Sequence, residues 1–387
     1  MRANPGGEIA PDEIIGRDRL IERLWRVLER QSLILSAERR MGKTCVIRKM
    51  KAELPANKLA IVRDVEDVRS PLEFVEVVLQ DVEEYLRKSN QIARKARSVL
   101  KNLNGMELKG MGFGIKLPDS AASHWKILLT QTIEDLLDNQ KDVRTIFFWD
   151  EVPYMLRNMS DEDAMEVLDV LRRLRQDYGT LRMVFTGSIG LHHAIDKLRK
   201  VGYTNAPTND MYFMDVPSLS EEDATDLATR LIQGENIPTF DVQMQAKDIA
   251  QMVNCIPFYI HHLIDIFVER KNTINENTVQ AIIDDCLRDP DSRWQMRHYQ
   301  DRIESYYSLE QQRYALNLLD VLAESDDPLS LPELCDRIQS DPDTSNKEKT
   351  RKVLDLLAKD YYIIKGKNLK YEFRLDLIKR YWQLSRG

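Results

Sequence analysis

Residues 37–44 read Ala37-Glu38-Arg39-Arg40-Met41-Gly42-Lys43-Thr44, and no other stretch narrows the possible folds as much. Ahead of them Ser32-Leu33-Ile34-Leu35-Ser36 is a short apolar run suited to a buried strand, and behind them 45–54 has the pattern of a helix. A strand, a tight loop ending in Gly-Lys-Thr and a helix make a phosphate-binding loop. Its amides and the helix N-terminus face the phosphates, the lysine reaches the β- and γ-phosphates, and the threonine hydroxyl meets Mg2+. Residues 37–42 are therefore expected to cradle the phosphates, with Lys43 on the phosphates and Thr44 on magnesium, so that the chain binds ATP or a close relative. Without the strand and the helix, Gly-Lys-Thr would be a chance tripeptide. One position departs from the usual pattern: its first glycine is Ala37 here. Alanine tolerates positive φ poorly. A loop needing that conformation at Ala37 would be altered, and binding by Lys43 and Thr44 would be firmer than fast hydrolysis.

Two further strands end in residues of the same chemistry. Arg144-Thr145-Ile146-Phe147-Phe148-Trp149 is almost continuously apolar and runs into Asp150-Glu151. Downstream of a phosphate loop, such a pair is the expected magnesium and water site. Asp150 would hold the metal directly or through a water, and Glu151 would orient or deprotonate the attacking water. Taken alone the pair is a weak signal, because acids also cap helices. The run 181–185 closes on Thr186-Gly187-Ser188. A polar residue there sits beside the γ-phosphate and reports its state; Ser188 reads equally well as a helix N-cap.

Around these motifs helices and strands alternate. Residues 14–30 read as a short lead-in loop and a helix, with Leu20, Ile21, Leu24, Val27 and Leu28 at helical spacing; 59–65 is a second strand. Residues 71–103 are helical and highly charged, with Pro71 at the start, and 125–137 and 163–178 are helices. Between them, 105–118 alternates apolar residues with polar ones or glycine and reads as an inserted β-hairpin. Its Met111 and Phe113 suit docking on another subunit or packing on their own domain equally. Strands alternating with helices mean a parallel sheet covered on both faces. Residues 218–288 show only helical patterns, opening with a capping-box-like Ser220-Glu221-Glu222-Asp223. A linker and helix at 289–307 lead to helices at 309–324, 331–338 and 346–359. Two short strands, 361–364 and 369–373, then flank a turn at 365–368. That order is a helix-turn-helix with a β-wing. The fold class expected is an α/β P-loop NTPase with a three-layer parallel sheet over 1–216, an all-α lid over 217–290, and a linker and winged helix over 291–387.

Size and composition agree with this and exclude other classes. The chain of 387 residues has room for two or three domains, and 43% hydrophobic with 31% charged residues fits a soluble globular protein rich in amphipathic helix. No apolar run is long enough to span a membrane, and the opening Met-Arg-Ala-Asn-Pro-Gly-Gly does not read as a signal peptide, so a cytoplasmic location is expected. Cysteines 45, 255, 286 and 335 lack metal-like spacing and read as reduced. The tandem pairs His192-His193 and His261-His262 point about 100° apart on a helix, make poor metal clamps and read as packing or surface residues. The net charge is −7, but 345–387 carries twelve Lys/Arg against five Asp/Glu, a net of +7 that leaves −14 on the rest. A basic end on an acidic body suits a local anionic partner and equally a solvated face.

Taken together, these motifs resemble the STAND branch of the AAA+-related P-loop ATPases, in particular the archaeal-type ATPases that include many bacterial members. The stretches that carry the resemblance are Ile15-Gly16-Arg17-Asp18, Arg39-Arg40-Met41-Gly42-Lys43-Thr44, Phe147-Phe148-Trp149-Asp150-Glu151, Phe185-Thr186-Gly187-Ser188, Ile256-Pro257-Phe258-Tyr259 and the run 371–382, Tyr-Glu-Phe-Arg-Leu-Asp-Leu-Ile-Lys-Arg-Tyr-Trp. They cover most of the chain. The resemblance implies that Ile15, Gly16 and Arg17 line the adenine side and that Pro257 in the lid packs against base or ribose; Cys45, by its own place after Thr44 at the helix start, reads as packing under the nucleotide rather than as a stabilised thiolate. In the family that proline follows a glycine pair; Asn254 and Cys255 stand there in this chain. The resemblance also implies a homo-oligomer, with an arginine finger from a neighbouring subunit: Arg199, in the Lys197-Leu198-Arg199-Lys200 loop, or one of Arg172, Arg173 and Arg175, which lie on a charged helix that reads as a solvated face.

The function expected is an ATP-dependent switch, with ATP and Mg2+ as cofactors and an effector protein or DNA as partner, as in a DNA-associated regulator, a mobile-element ATPase or an antiviral defence component. DNA contacts would come from Lys347, Lys349, Arg351 and Lys352 in the recognition helix 345–359 and from Lys365 and Lys367 in the wing. A winged helix serves equally as a protein-interaction module. Two alternatives stay open: a structural nucleotide-binding adaptor with little turnover, and a DNA-loading or transposition-type ATPase.

Overall fold

The structure, a computed structural model, describes residues 1–88, 91–104, 116–140, 143–187, 190–338 and 347–386. The hairpin expected at 105–118 falls almost wholly outside them, as do Ser188 and the first two residues of the expected recognition helix. The chain divides into two compact units. One comprises Arg19–Ala37 and Lys43–Val216; the other comprises Met1–Asp18, Glu38–Gly42 and Pro217–Gly387.

The first is the sheet unit. In chain order its elements are α1 (Asp18–Leu28), β1 (Leu33–Ser36), α2 (Lys43–Ala52), β2 (Lys58–Asp64), α3 (Pro71–Lys88), α4 (Arg94–Asn104), α5 (Trp125–Asp138), β3 (Arg144–Asp150), α6 (Val152–Asn158), α7 (Asp161–Asp177), β4 (Leu181–Thr186), α8 (Leu191–Lys200) and β5 (Tyr212–Asp215). The five strands form one parallel sheet in the order β2-β3-β4-β1-β5. Ile146, Phe147, Phe148 and Trp149 of β3 are all buried, as are Met183, Val184 and Phe185 of β4. Strands covered on both faces need apolar side chains in both directions, which is why these runs are continuous rather than alternating. Trp149 anchors the core: Phe74 of α3 meets it edge-on at 5.1 Å, and Phe147 and Phe185 stack on it at 5.2 and 6.1 Å.

Four features of this unit differ from the expectations above. The helical stretch at 71–103 is two helices. The edge strand β5 and the short helix α6 have no counterpart in the sequence pattern. Arg199 lies in the last turn of α8, not in a loop.

The second unit is mostly helical: α9 (Glu221–Gly234), α10 (Val242–Met252), α11 (Pro257–Arg270), α12 (Glu276–Arg288), α13 (His298–Tyr306), α14 (Leu309–Glu324), β6 (Leu329–Ser330), α15 (Leu331–Ile338), α16 (Lys347–Lys359), β7 (Ile363–Lys365), β8 (Lys370–Phe373) and α17 (Asp376–Arg386). Side-chain caps mark the starts of α9, α10, α12 and α14. The Ser220 hydroxyl accepts from Asp223 N at 3.1 Å, and Asn275 with Thr278 and Ser308 with Gln311 form reciprocal capping boxes. The three short strands make an antiparallel sheet in the order β6-β8-β7. Helix α17 closes the C-terminal part. Trp382 is fully buried and its indole donates to Asp320 Oδ1 of α14 at 2.7 Å. Among the described residues no helix is long and apolar enough to cross a membrane.

Candidate nucleotide site

In an open parallel sheet, ligands bind beyond the C-terminal ends of the strands, where successive connections leave in opposite directions. Here the chain leaves β1 toward β2 at one edge and leaves β4 toward β5 at the other, so the switch point lies between the neighbours β4 and β1. The chemistry-bearing residues of the sheet unit collect at these strand ends. Lys43 opens α2 just after the loop, and its ammonium donates to the carbonyl of Gly187, which follows β4. Asp150 ends β3, and its Oδ1 accepts from the hydroxyl of Thr186 at the end of β4 and from the Glu151 amide at 3.1 Å. Thr186 is 2% exposed, so that hydroxyl is aimed by packing. The motif Thr186-Gly187-Ser188 suggests Ser188 as its polar residue; the contact with Asp150 is made by Thr186, for which a threonine closing a buried strand beside glycine is the sequence signal. Thr44 is exposed on the first turn of α2.

Glu151 sits at φ 58, ψ 32, a left-handed conformation at the N-terminus of α6, and its carbonyl accepts from the amides of Tyr154 and Met155. A non-glycine residue held there is strained, and such strain collects at functional sites. Asp64, in register with Asp150 on β2, turns its carboxylate onto the Glu66 amide at 2.9 Å. The oxygen donors of Thr44 and Asp150 are hard ligands that fit magnesium rather than a thiophilic metal.

The loop segment Glu38–Gly42 belongs to the second unit. Its turns use positive φ at Arg40 (72°) and Gly42 (84°). Ala37 takes no positive φ, so alanine replaces glycine there without strain, and the condition under which it would alter the loop is not met. Arg17 is 3% exposed. Its guanidinium donates to the carbonyls of Met41 at 2.7 Å and Pro217 at 2.8 Å, so it holds the loop backbone. Gly16, at φ +70, lies so close to Asp223 that a Cβ would stand 2.6 Å from it. Ile15 and Cys45 are half-buried, as is Pro257, the first residue of α11. Arg39 donates to Gln295 Oε1 at 2.8 Å. Arg40 donates to the Arg293 carbonyl at 3.0 Å and lies over the Phe258 ring at 4.0 Å; burial and the neighbouring Arg39 charge hold its pKa below the ordinary arginine range.

Among the arginine candidates, Arg199 is exposed and pairs with Asp196 at 3.1 Å. Arg175 does not lie on a solvated face. Its side chain is 2% exposed, paired twice with Asp210 at 2.9 Å and bonded to the Pro207 carbonyl at 2.6 Å. His261 and His262 are packing residues: burial pushes both pKa values down to about 4, and His262 Nδ1 accepts from the Trp294 indole at 2.7 Å.

A scan against protein-family models matches none, and a search of curated proteins finds no significant match. Solved structures do resemble the chain. The Walker-type ATPase of Pyrococcus abyssi superposes with a TM-score of 0.66 at 14% identity, covering 99% of this chain and 100% of that one. The Aeropyrum pernix ORC2 protein, in ADPNP-ADP complexes, gives 0.53 at 11% identity, covering 98% and 95%. At such identities the likeness establishes the fold alone: a parallel α/β core followed by a helical C-terminal region, as in those two structures.

Proposed function

We propose that this chain is an ATP-binding and ATP-hydrolysing switch of the STAND type, whose nucleotide state governs assembly and the engagement of DNA or an effector protein. The observation that carries the reading is the gathering of Lys43, Thr44, Asp150, Glu151 and Thr186 at the C-terminal ends of the inner strands β1, β3 and β4. Lys43 and the loop amides bind the β- and γ-phosphates. Thr44 and Asp150 would hold Mg2+, which when bound neutralises phosphate charge. Thr186 fixes the Asp150 carboxylate through its hydroxyl. Glu151 aligns the attacking water and takes its proton. The lid reading of 217–290 and the winged-helix reading of 291–387 follow the element order given above. Arg199, exposed on α8, is our candidate for the finger supplied to a neighbouring copy.

The test is a titration with a fluorescent ATP analogue alongside a turnover assay. Lys43→Ala should weaken binding by an order of magnitude or more. Glu151→Gln should keep binding and lose turnover by roughly 10²–10⁴-fold, the usual worth of a positioned base. A Glu151→Gln protein hydrolysing ATP at the wild-type rate sinks the base assignment. Binding without turnover, with and without DNA, makes the chain an adaptor.

A further inference from the structure

Glu38 occupies the second position of the phosphate loop, yet it is one of the most buried charges in the chain, at 3% exposure. Its Oε1 accepts from the Arg39 amide at 2.7 Å and from Arg302 Nη1 at 3.2 Å, with His298 Nε2 3.8 Å away; its Oε2 is buried with no hydrogen-bond partner among the described residues. A carboxylate taken out of water needs a counter-charge. The loop's own Arg39 and Arg40 side chains do not supply it, since they reach Gln295, the Arg293 carbonyl and the Phe258 ring. Arg302 of α13 does. Burial alone would push the Glu38 carboxyl up, but Arg302, helped by His298 and the Arg39 amide, holds it below the ordinary glutamate range.

The same guanidinium reaches further. Arg302 Nη2 donates to the carbonyl of Asp360 at 3.2 Å and lies 3.9 Å from its carboxylate. Asp360 is 2% exposed and accepts from the Tyr307 hydroxyl at 2.7 Å. Next comes Tyr361 at φ 67, a tight left-handed step into β7, and then Tyr362, whose hydroxyl donates to the Tyr299 carbonyl at 2.5 Å. One planar group thus joins loop residue 38 to the foot of the β7–β8 hairpin. Lysine, a single point charge, cannot satisfy both ends in the same geometry.

We propose that Arg302 is a positioning residue for the phosphate loop: through Glu38 it sets the loop's conformation, and through Asp360 it passes a change in the loop to the β7–β8 hairpin. The ligand half of this rests on the nucleotide-binding reading above; the restraint half does not. The pair is buried, so no water replaces a broken bond, and a displaced loop either carries Arg302 with it or leaves both charges stranded.

The experiment compares the full chain with Arg302→Met, Arg302→Lys, Glu38→Gln and the Glu38→Gln/Arg302→Met double variant. Without nucleotide, trypsin cutting after Arg39 and Arg40 reads the restraint. Arg302→Met and Glu38→Gln should each speed the cut about tenfold or more, with Arg302→Lys in between and the double variant no faster than the faster single one, as expected for partners in one interaction. With ATP and magnesium, amide exchange over 360–373 reads the relay. Wild type should change its protection there, and Arg302→Met should lose that response while still binding the fluorescent analogue. Unchanged cleavage in folded variants, or a hairpin response that survives in Arg302→Met, overturns the proposal. Should Arg302→Met not fold, Glu38→Gln, which keeps the shape and removes only the charge, is held to the same two outcomes. Should wild type bind ATP no better than Lys43→Ala, the nucleotide reading fails, while the cleavage rates still decide whether Arg302 holds the loop.

Discussion

Gly16 does two things that no other residue does at its position. Its φ of +70 suits glycine, and its hydrogen faces Asp223 where a Cβ would be 2.6 Å away. Asp223 is not free to yield, because its carboxylate accepts from the Ser220 hydroxyl at 2.6 Å and its amide donates back to that hydroxyl at the start of α9. The turn also aims Arg17 at the loop carbonyl of Met41. Gly16→Ala should therefore cost about 2 kcal/mol from backbone strain and the displaced cap, read as a lower thermal midpoint. A midpoint equal to wild type would show that the turn relaxes freely. At this scale the sequence marks Lys43, Thr44, Asp150 and Glu151 as candidates, because the proposed phosphate and metal chemistry calls for these residue types beside a strand end. Glu38 with Arg302 is not legible, because nothing local in either neighbourhood signals a partner 264 positions away.

Elements were legible where periodicity is local and illegible where a tertiary contact sets a boundary. The stretch 71–103 reads as one helix because it holds no proline or glycine after Pro71. It breaks because α4 is started from outside: the amides of Lys95 and Ala96 donate to the Asp135 carboxylate of α5 at 3.0 and 2.9 Å. Strand β5 is illegible in the sequence because it is a four-residue edge strand with Phe213 58% exposed, so its pattern neither alternates cleanly nor runs buried. Helix α6 has seven residues, too few for helical spacing to emerge. The junction of α10 and α11 shows the reverse case, in which geometry explains a sequence departure. Asn254 and Cys255, standing where the resembling family has glycines, are both left-handed, at φ 53 and 56. Asn254 compensates by accepting from the Leu377 amide at 2.9 Å; Cys255 is half-buried, and its backbone bonds to Ala250 and Leu219 support the turn. The two substitutions to glycine should thus differ in sign. Cys255→Gly relieves left-handed strain and should be neutral or gain about 0.5 kcal/mol after the entropy of the unfolded chain is set against it. Asn254→Gly should lose about 1 kcal/mol with its hydrogen bond. Denaturant midpoints of the pair decide it, and an Asn254→Gly protein as stable as Cys255→Gly would contradict the account.

Over the whole molecule the charge is −7, yet 345–387 carries +7, so any polyanion must be met locally and against the field of the rest. Helix α16 is built for such a division. Thr350, Val353, Leu354 and Leu357 are buried, while Lys347, Lys349, Arg351 and Lys352 are exposed. Lys365 and Lys367 are exposed on and beside β7. Lys349 pairs with Glu310 and Arg351 with Glu348, but both pairs are about half exposed, and surface pairs of this kind are worth at most about 1 kcal/mol. A phosphate backbone, which releases condensed counterions for each charge it meets, competes with them readily. If these six cations engage duplex DNA, the logarithm of affinity should fall with that of salt with a slope near −5, about a thousandfold between roughly 50 and 200 mM. Lys347→Glu with Lys352→Glu should flatten the slope by about two units and weaken binding alike for every sequence, since phosphate contacts position but do not specify. Fluorescence anisotropy of a short labelled duplex across that salt range measures both quantities. A flat salt response, or a slope that the double substitution leaves unchanged, would move the basic face from DNA to an acidic protein partner, whose few charges release no condensed counterions.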